Sequence, residues 1–318
     1  MYIPFRSNVV SGIKDELSGP GKGIQFDTSP EQEYNIHLAN GVFEYKTKTF
    51  RPRNKYDYVT MKLSWNYDPS IITDEAREVV REIFRKILPD EEKRDMLLSY
   101  LSMSLTGNTK EKKFIMMVGE GSNGKSAIFK MMESVFEFYV KELDNETFNR
   151  KYEKSHKQLI HLNRIPIRLV YMEEMDVKKK MDVPAVKDFV DGNKSPCEVL
   201  YGSTVELNIP SKLITSSNND PNFEGIDINN AITRRLRILY LNSKFDEDLA
   251  EDNWETLEFK AVHDQHKIFE DDVVYKHALF ELLTQPKYDK FLVSEAVKRE
   301  TEETVANMDE FEVIPTPR

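Results

Sequence analysis

The stretch Val118-Gly119-Glu120-Gly121-Ser122-Asn123-Gly124-Lys125-Ser126 follows the apolar run Phe114-Ile115-Met116-Met117. Three glycines fall close together here in a chain that holds only 12 among 318 residues, and no other feature constrains the fold as much. An apolar strand entering a glycine loop that opens a helix is a cradle for phosphate: the glycines let backbone N–H groups turn inward, and the helix adds the positive end of its dipole. In the spacing GxxxxGKS, the cradle is Gly119, Glu120, Gly121, Ser122, Asn123, Gly124, Lys125 and Ser126. Lys125 is placed to reach the β and γ phosphates, and the Ser126 hydroxyl to hold Mg²⁺.

Binding phosphate is not hydrolysis, which also needs a carboxylate at the end of a neighbouring buried strand. The run Ile167-Arg168-Leu169-Val170-Tyr171-Met172 ends in Glu173-Glu174. Glu173 is expected on the metal side, through a bound water, and Glu174 as the general base, with Asp176 a competitor. A third run, Lys212-Leu213-Ile214-Thr215-Ser216-Ser217, delivers Asn218, an amide able to orient water or touch the γ-phosphate. Finally Thr233-Arg234-Arg235-Leu236-Arg237 offers arginines that could stabilise a transferring phosphoryl group.

Around this centre the sequence reads as several modules. Before it, Asn40-Gly41 introduces VFEYKTKTF, and DYVTMKLSW follows RPRNK, both patterned as short strands. Thr73 opens TDEAREVVREIFRKIL, an amphipathic helix, and a second helix follows Pro89, with Gly107 placed to end it in a left-handed conformation. Short apolar runs alternating with helical segments then predict buried parallel strands, so the fold class is α/β. The segment after Asn242 is acidic and reads as helical. The expected divisions are 1–70, an N-terminal flank; 71–107, a helical collar; 108–241, the ATPase core; and 242–318, a helical C-terminal extension.

Composition excludes several classes. The single cysteine, Cys197, rules out an internal disulfide and a Cys-based metal site and fits a reducing compartment. No apolar run approaches the roughly 18 residues that cross a bilayer, and the start MYIPFRSNVVSG has no signal-peptide core, so a cytoplasmic protein is expected. A net charge of −10 argues against a broadly basic nucleic-acid coat, so contact with DNA must be local.

The succession GEGSNGKS, LVYMEE, KLITSSNNDP, RRLRILYL resembles motifs A, B, C and the arginine finger of superfamily 3 helicases, a branch of the AAA+ P-loop ATPases. It is most similar to the helicase part of primase-helicases from poxviruses, other large nucleocytoplasmic DNA viruses, and phages or plasmids, over roughly residues 35–241. The resemblance implies ATP with Mg²⁺, a homohexamer around single-stranded DNA, 3′ to 5′ movement, and a possible primase domain upstream. It also implies Arg235, with Arg234 as the alternative, as a finger reaching the neighbouring subunit's ATP. The segment Val186-Lys187-Asp188-Phe189-Val190-Asp191-Gly192-Asn193 through Tyr201 resembles the lead into the family's DNA-contacting hairpin. Asp191-Gly192-Asn193 stands where the viral pattern has Gly-Gly-Asp, and the tip carries no basic residue, so Lys187, Lys194 and Tyr201 are the candidate DNA contacts. The expected function is an ATP-dependent DNA helicase module of a replicative primase-helicase, acting in the host cytoplasm at the site of virus replication or in a bacterial cytosol. A P-loop kinase for a small molecule and a non-catalytic, ATP-gated DNA-loading module are the alternatives.

Overall fold

The computed structural model describes residues 27, 29, 32–148, 154–163, 165–175, 182–197, 205–220, 232–262 and 265–310. The chain divides into two compact units, Met1–Asn66 and Tyr67–Arg318.

In the first unit, β1 (Asn35–Leu38), β2 (Gly41–Glu44) and β3 (Thr49–Arg51) form an antiparallel sheet in that order. The stretch DYVTMKLSW, expected as a strand, forms none. Its alternation is real, since Leu63 and Trp65 are buried, and it touches β1 through Leu63 N–H to the His37 carbonyl at 2.8 Å. Asp27 instead claims the N–H groups of Thr60 and Met61, at 2.7 and 2.8 Å, that a ladder would need.

The second unit begins with α1 (Asp74–Ile87), capped by Thr73, whose side chain accepts from Ala76 N–H at 3.1 Å, a bond contributing about 1 kcal/mol. Val80, Ile83, Phe84 and Ile87 form its buried stripe. Next, α2 (Glu91–Met103) ends before Gly107, which does not adopt positive φ. Ser104 and Thr106 hydroxyls donate to the carbonyls of Leu101 and Met103, at 2.6 and 2.9 Å, and turn the chain out of the helix first.

The elements that follow are β4 (Phe114–Val118), α3 (Lys125–Phe136), β5 (Val140–Glu142), α4 (Lys154–Leu162), β6 (Leu169–Met172) and α5 (Val183–Val190). The antiparallel hairpin β7 (Ser195–Cys197) and β8 (Val205–Leu207) comes next, then β9 (Lys212–Ser217) and β10 (Leu236–Tyr240). Five of these make one parallel sheet in the order β10-β4-β9-β6-β5. Alternate residues serve its two faces: Val170 and Met172 join a core with Val186 and Val190 of α5, while Tyr171 between them stacks on Phe129 of α3 at 4.4 Å. Thus the expected α/β P-loop core with a parallel central sheet is present.

Beyond β10, the expected helical extension opens instead with a parallel ribbon, β11 (Lys244–Asp246) and β12 (Glu258–Lys260). Helices α6 (Ile268–Asp271), α7 (Val273–Leu283) and α8 (Glu295–Glu310) then follow. These helices are not a separate appendage. Arg77 of α1 pairs with Glu281 of α7 at 2.8 Å, and Lys93 of α2 with Glu300 of α8 at 2.7 Å. Collar, core and extension therefore form one compact body. On α8, Thr301 accepts the Ile238 N–H at 2.9 Å, covering the open edge of β10. No helix among the described residues is long and apolar enough to cross a membrane.

Candidate active site

Parallel strands deliver their C-terminal ends to a single edge, the usual ligand side of an open α/β sheet. Val118 pairs with Ser217, and Met172 with Thr215, so Gly119, Glu173 and Asn218 emerge side by side from β4, β6 and β9. Residues far apart in sequence meet because β9 lies between the other two strands.

The glycines of the loop are required by its geometry. Gly124 caps α3 at φ 88°, and a Cβ there would come within 2.6 Å of Ile87 Cγ1. A Cβ on Gly119 would lie 2.5 Å from the Leu241 carbonyl oxygen, whereas at Gly121 it would meet nothing. The loop is tied down by Gly119 N–H to the Ser217 carbonyl at 3.2 Å and by Phe245 N–H to the Ser122 carbonyl at 2.7 Å. Asn123 is buried and donates to the Leu241 carbonyl at 3.4 Å. At the centre lies Lys125, with its ammonium 2.5 Å from the Gly119 carbonyl, 3.1 Å from that of Glu120 and 3.0 Å from Asn123 Oδ1. Burial lowers its pKa, and the Glu174 charge opposes this. A loop too tight for side chains at two glycines, open at the third and centred on a buried cation fits a polyphosphate.

The Ser126 hydroxyl favours the charged form of the neighbouring Glu173, so a hydroxyl and a carboxylate, the hard oxygen donors that Mg²⁺ takes, face the same corner of the loop. The Glu173 carboxyl is pushed above the ordinary range by burial and then by the Glu142 charge, with Ser126 and Lys130 opposing. Glu174 is exposed and holds φ at 49°, a strained value for a residue with a side chain. Its N–H donates to Ser216 Oγ at 3.3 Å, so β9 helps to fix its position. Asn218 is exposed at the tip of β9. Asp176 lies outside the described residues.

Arg235 and Arg234 are at the other edge. Leu236 pairs with Phe114 at the start of β4, and the Phe114 N–H donates to the Arg235 carbonyl at 2.9 Å. The length of β4, about 16 Å, separates this edge from the phosphate loop. Arg235 makes a two-pronged pair with Asp191, both bonds at 2.7 Å, in which the side chains are 12% and 6% exposed. Arg235 lowers the pKa of Asp191, and Asp191 raises that of Arg235. Arg234 is the more exposed of the two arginines, and its carbonyl accepts from Lys113 Nζ at 2.5 Å. Sequence reasoning missed Lys112 and Lys113. The Lys113 pKa is lowered by burial and by Arg237, Arg235 and Arg234, which marks a concentration of cations. The signal was available: basic residues directly before two neighbouring parallel strands must land together.

Asp191 follows α5, from which the chain enters the β7–β8 hairpin. Lys187 is half-buried on α5, and Lys194 is exposed at the hairpin base, 3.4 Å from the Glu206 carboxylate. Tyr201, the expected tip, lies outside the described residues.

Residues 84–277 match the family described as Baculovirus DNA helicase, and residues 5–90 match D5 N terminal like. Putative helicase L207/L206 of Acanthamoeba polyphaga mimivirus is 25% identical over 242 residues, covering 76% of this chain and 25% of that protein. Putative helicase 121R of Invertebrate iridescent virus 3 is 28% identical over 228 residues, covering 69% of this chain and 24% of that protein. The chain thus spans about a quarter of the length of these relatives. Among solved structures, the apo A form of the NrS-1 C terminal region shares the fold, with a TM-score of 0.54 at 11% identity, over 96% of this chain and 66% of that one. With a helicase family matching well over half of its length, the chain belongs to the Baculovirus DNA helicase family.

Proposed function

We propose that the chain hydrolyses ATP at the seam between neighbouring copies of a homohexameric ring and thereby moves along single-stranded DNA. One observation carries this reading: Lys125, Ser126, Glu173, Glu174 and Asn218 share one edge of a sheet whose other edge gathers Lys113, Arg234 and Arg235. A chain cannot fold its own Arg235 onto its own phosphate loop across the length of β4. A site containing both needs a second copy, which is the arrangement a finger acting in trans requires.

In this reading residues 119–126 bind the triphosphate, and Ser126 and Glu173 hold Mg²⁺, which neutralises and orients the phosphates when bound. Glu174 accepts the proton of the attacking water while Asn218 orients that water. Arg235 of the neighbour, steadied by Asp191, meets the charge that develops on the γ-phosphate, with Arg234 as the alternative. Lys187, Lys194 and Tyr201 contact the strand. The chain spans about a quarter of the length of its relatives; by the resemblance to primase-helicases, the whole protein is proposed to include an upstream primase domain and to work where viral DNA is replicated in the host cytoplasm.

ATP turnover by the purified chain, with Mg²⁺ and with or without a single-stranded oligonucleotide, tests the proposal. Turnover should rise severalfold with DNA and fall at least about a hundredfold in Lys125→Ala. DNA-independent turnover would refute it.

A further inference from the structure

Beside the phosphate loop, four separate stretches of chain build a corner. The N–H bond from Phe245 to Ser122 sets β11 directly against the loop. Ile87, at the end of α1, packs on Gly124. From the same helical turn, Lys86 reaches Asp252 at 2.6 Å, and the Arg85 guanidinium lies 5.8 Å from the Trp254 ring centre. Phe259 on β12, wholly buried, meets Trp254 edge to face at 4.7 Å and Phe245 at 5.8 Å. Within this support Trp254 remains 43% exposed, although the chain buries its other tryptophan, Trp65, to 6%. An indole held by these neighbours and still 43% exposed can stack on a planar ring with little loss of side-chain freedom.

We propose that this corner receives the base of the bound nucleotide, stacked on Trp254 while the phosphates lie in residues 119–126. The inference rests on the nucleotide-binding reading of that loop and adds to it the part of the ligand that the loop does not recognise. Stacking of a base on an aromatic side chain accounts for roughly a tenfold gain in affinity.

Acrylamide quenching of tryptophan emission in the whole chain, titrated with Mg·ATP and separately with Mg·tripolyphosphate, is the test. ATP should shield Trp254, and tripolyphosphate, which has no base, should not. By calorimetry, Trp254→Ala should weaken ATP binding about tenfold and leave tripolyphosphate binding unchanged, while Trp254→Phe keeps most of the ATP affinity. If ATP binds but leaves Trp254 as quenchable as before, the base lies elsewhere and the nucleotide reading survives. The same conclusion follows if Trp254→Ala binds ATP like the wild type. If the wild type binds neither ligand, the nucleotide reading itself falls, and this inference with it. The quenching experiment needs no variant, so it decides the matter even if Trp254→Ala fails to fold.

Discussion

Glu173, the proposed metal-side acid, shows how a position can oppose stability. Its carboxyl titrates above the ordinary value of 4.5, chiefly because it is buried. The folded state therefore disfavours the charged form, and stability is lost as the pH rises from the unfolded value through the folded one. Glu173→Gln removes this loss. In chelator, the variant's melting temperature relative to wild type should increase as the pH rises from about 4 to about 7, while Mg²⁺-dependent turnover falls by about two orders of magnitude. A flat difference across that range would show that Glu173 carries no such penalty. Arg235 presents the opposite case, because its partner Asp191 is nearly buried. Alanine there would leave the nearly buried carboxylate with only the longer Lys112 contact, at 4.0 Å, a loss of at most about 3–5 kcal/mol that would confuse any kinetic result. Arg235→Lys keeps the charge and loses the fork, so it should fold, retain ATP affinity and lose about a hundredfold in turnover. Wild-type rates in Arg235→Lys, with a deficit in Arg234→Lys, would move the finger by one residue.

At the level of elements, the strand-loop-helix unit depends on a contact that its own sequence does not contain. Gly124 is hemmed in by Ile87, which belongs to a helix more than thirty positions earlier. Gly124→Ala combines a disfavoured φ with a collision and should cost roughly 1–3 kcal/mol, read from chemical denaturation, with ATP binding lost in parallel. A variant as stable as wild type would mean that α1 can withdraw. The helices and strands that match the sequence reading are those whose pattern is local: the capped α1, the apolar runs of β4, β6, β9 and β10, and the glycine-opened α3. Those that do not are decided by competition for backbone groups. Asp27 takes the N–H groups of the expected strand near Thr60, and serine and threonine hydroxyls end α2 before Gly107 can.

For the molecule as a whole, the separation of the two sheet edges makes subunit mixing informative. Lys125→Ala copies cannot bind ATP productively yet still carry Arg235, and Arg235→Lys copies have the reverse defect. Mixed in equal amounts, the two should recover a measurable fraction of wild-type turnover that neither shows alone. Absence of recovery, in particles shown by mass measurement to contain both, would exclude a shared site.

The groups on which the proposed chemistry rests were legible in the sequence, because a phosphate loop, a paired carboxylate, an amide and an arginine can each be read from residue type and spacing beside an apolar run. Only the tertiary structure decided where these groups stand relative to one another. The order β10-β4-β9-β6-β5 brings Asn218 between the loop and the acids and sends Arg235 to the far edge, where Asp191 holds it. Ion pairs join the early and late helices into one body, and Phe245, bonded to the loop at Ser122, links it through Phe259 to Trp254. Such contacts follow from closing the whole hydrophobic core, and no local periodicity encodes which distant partner a buried face will find.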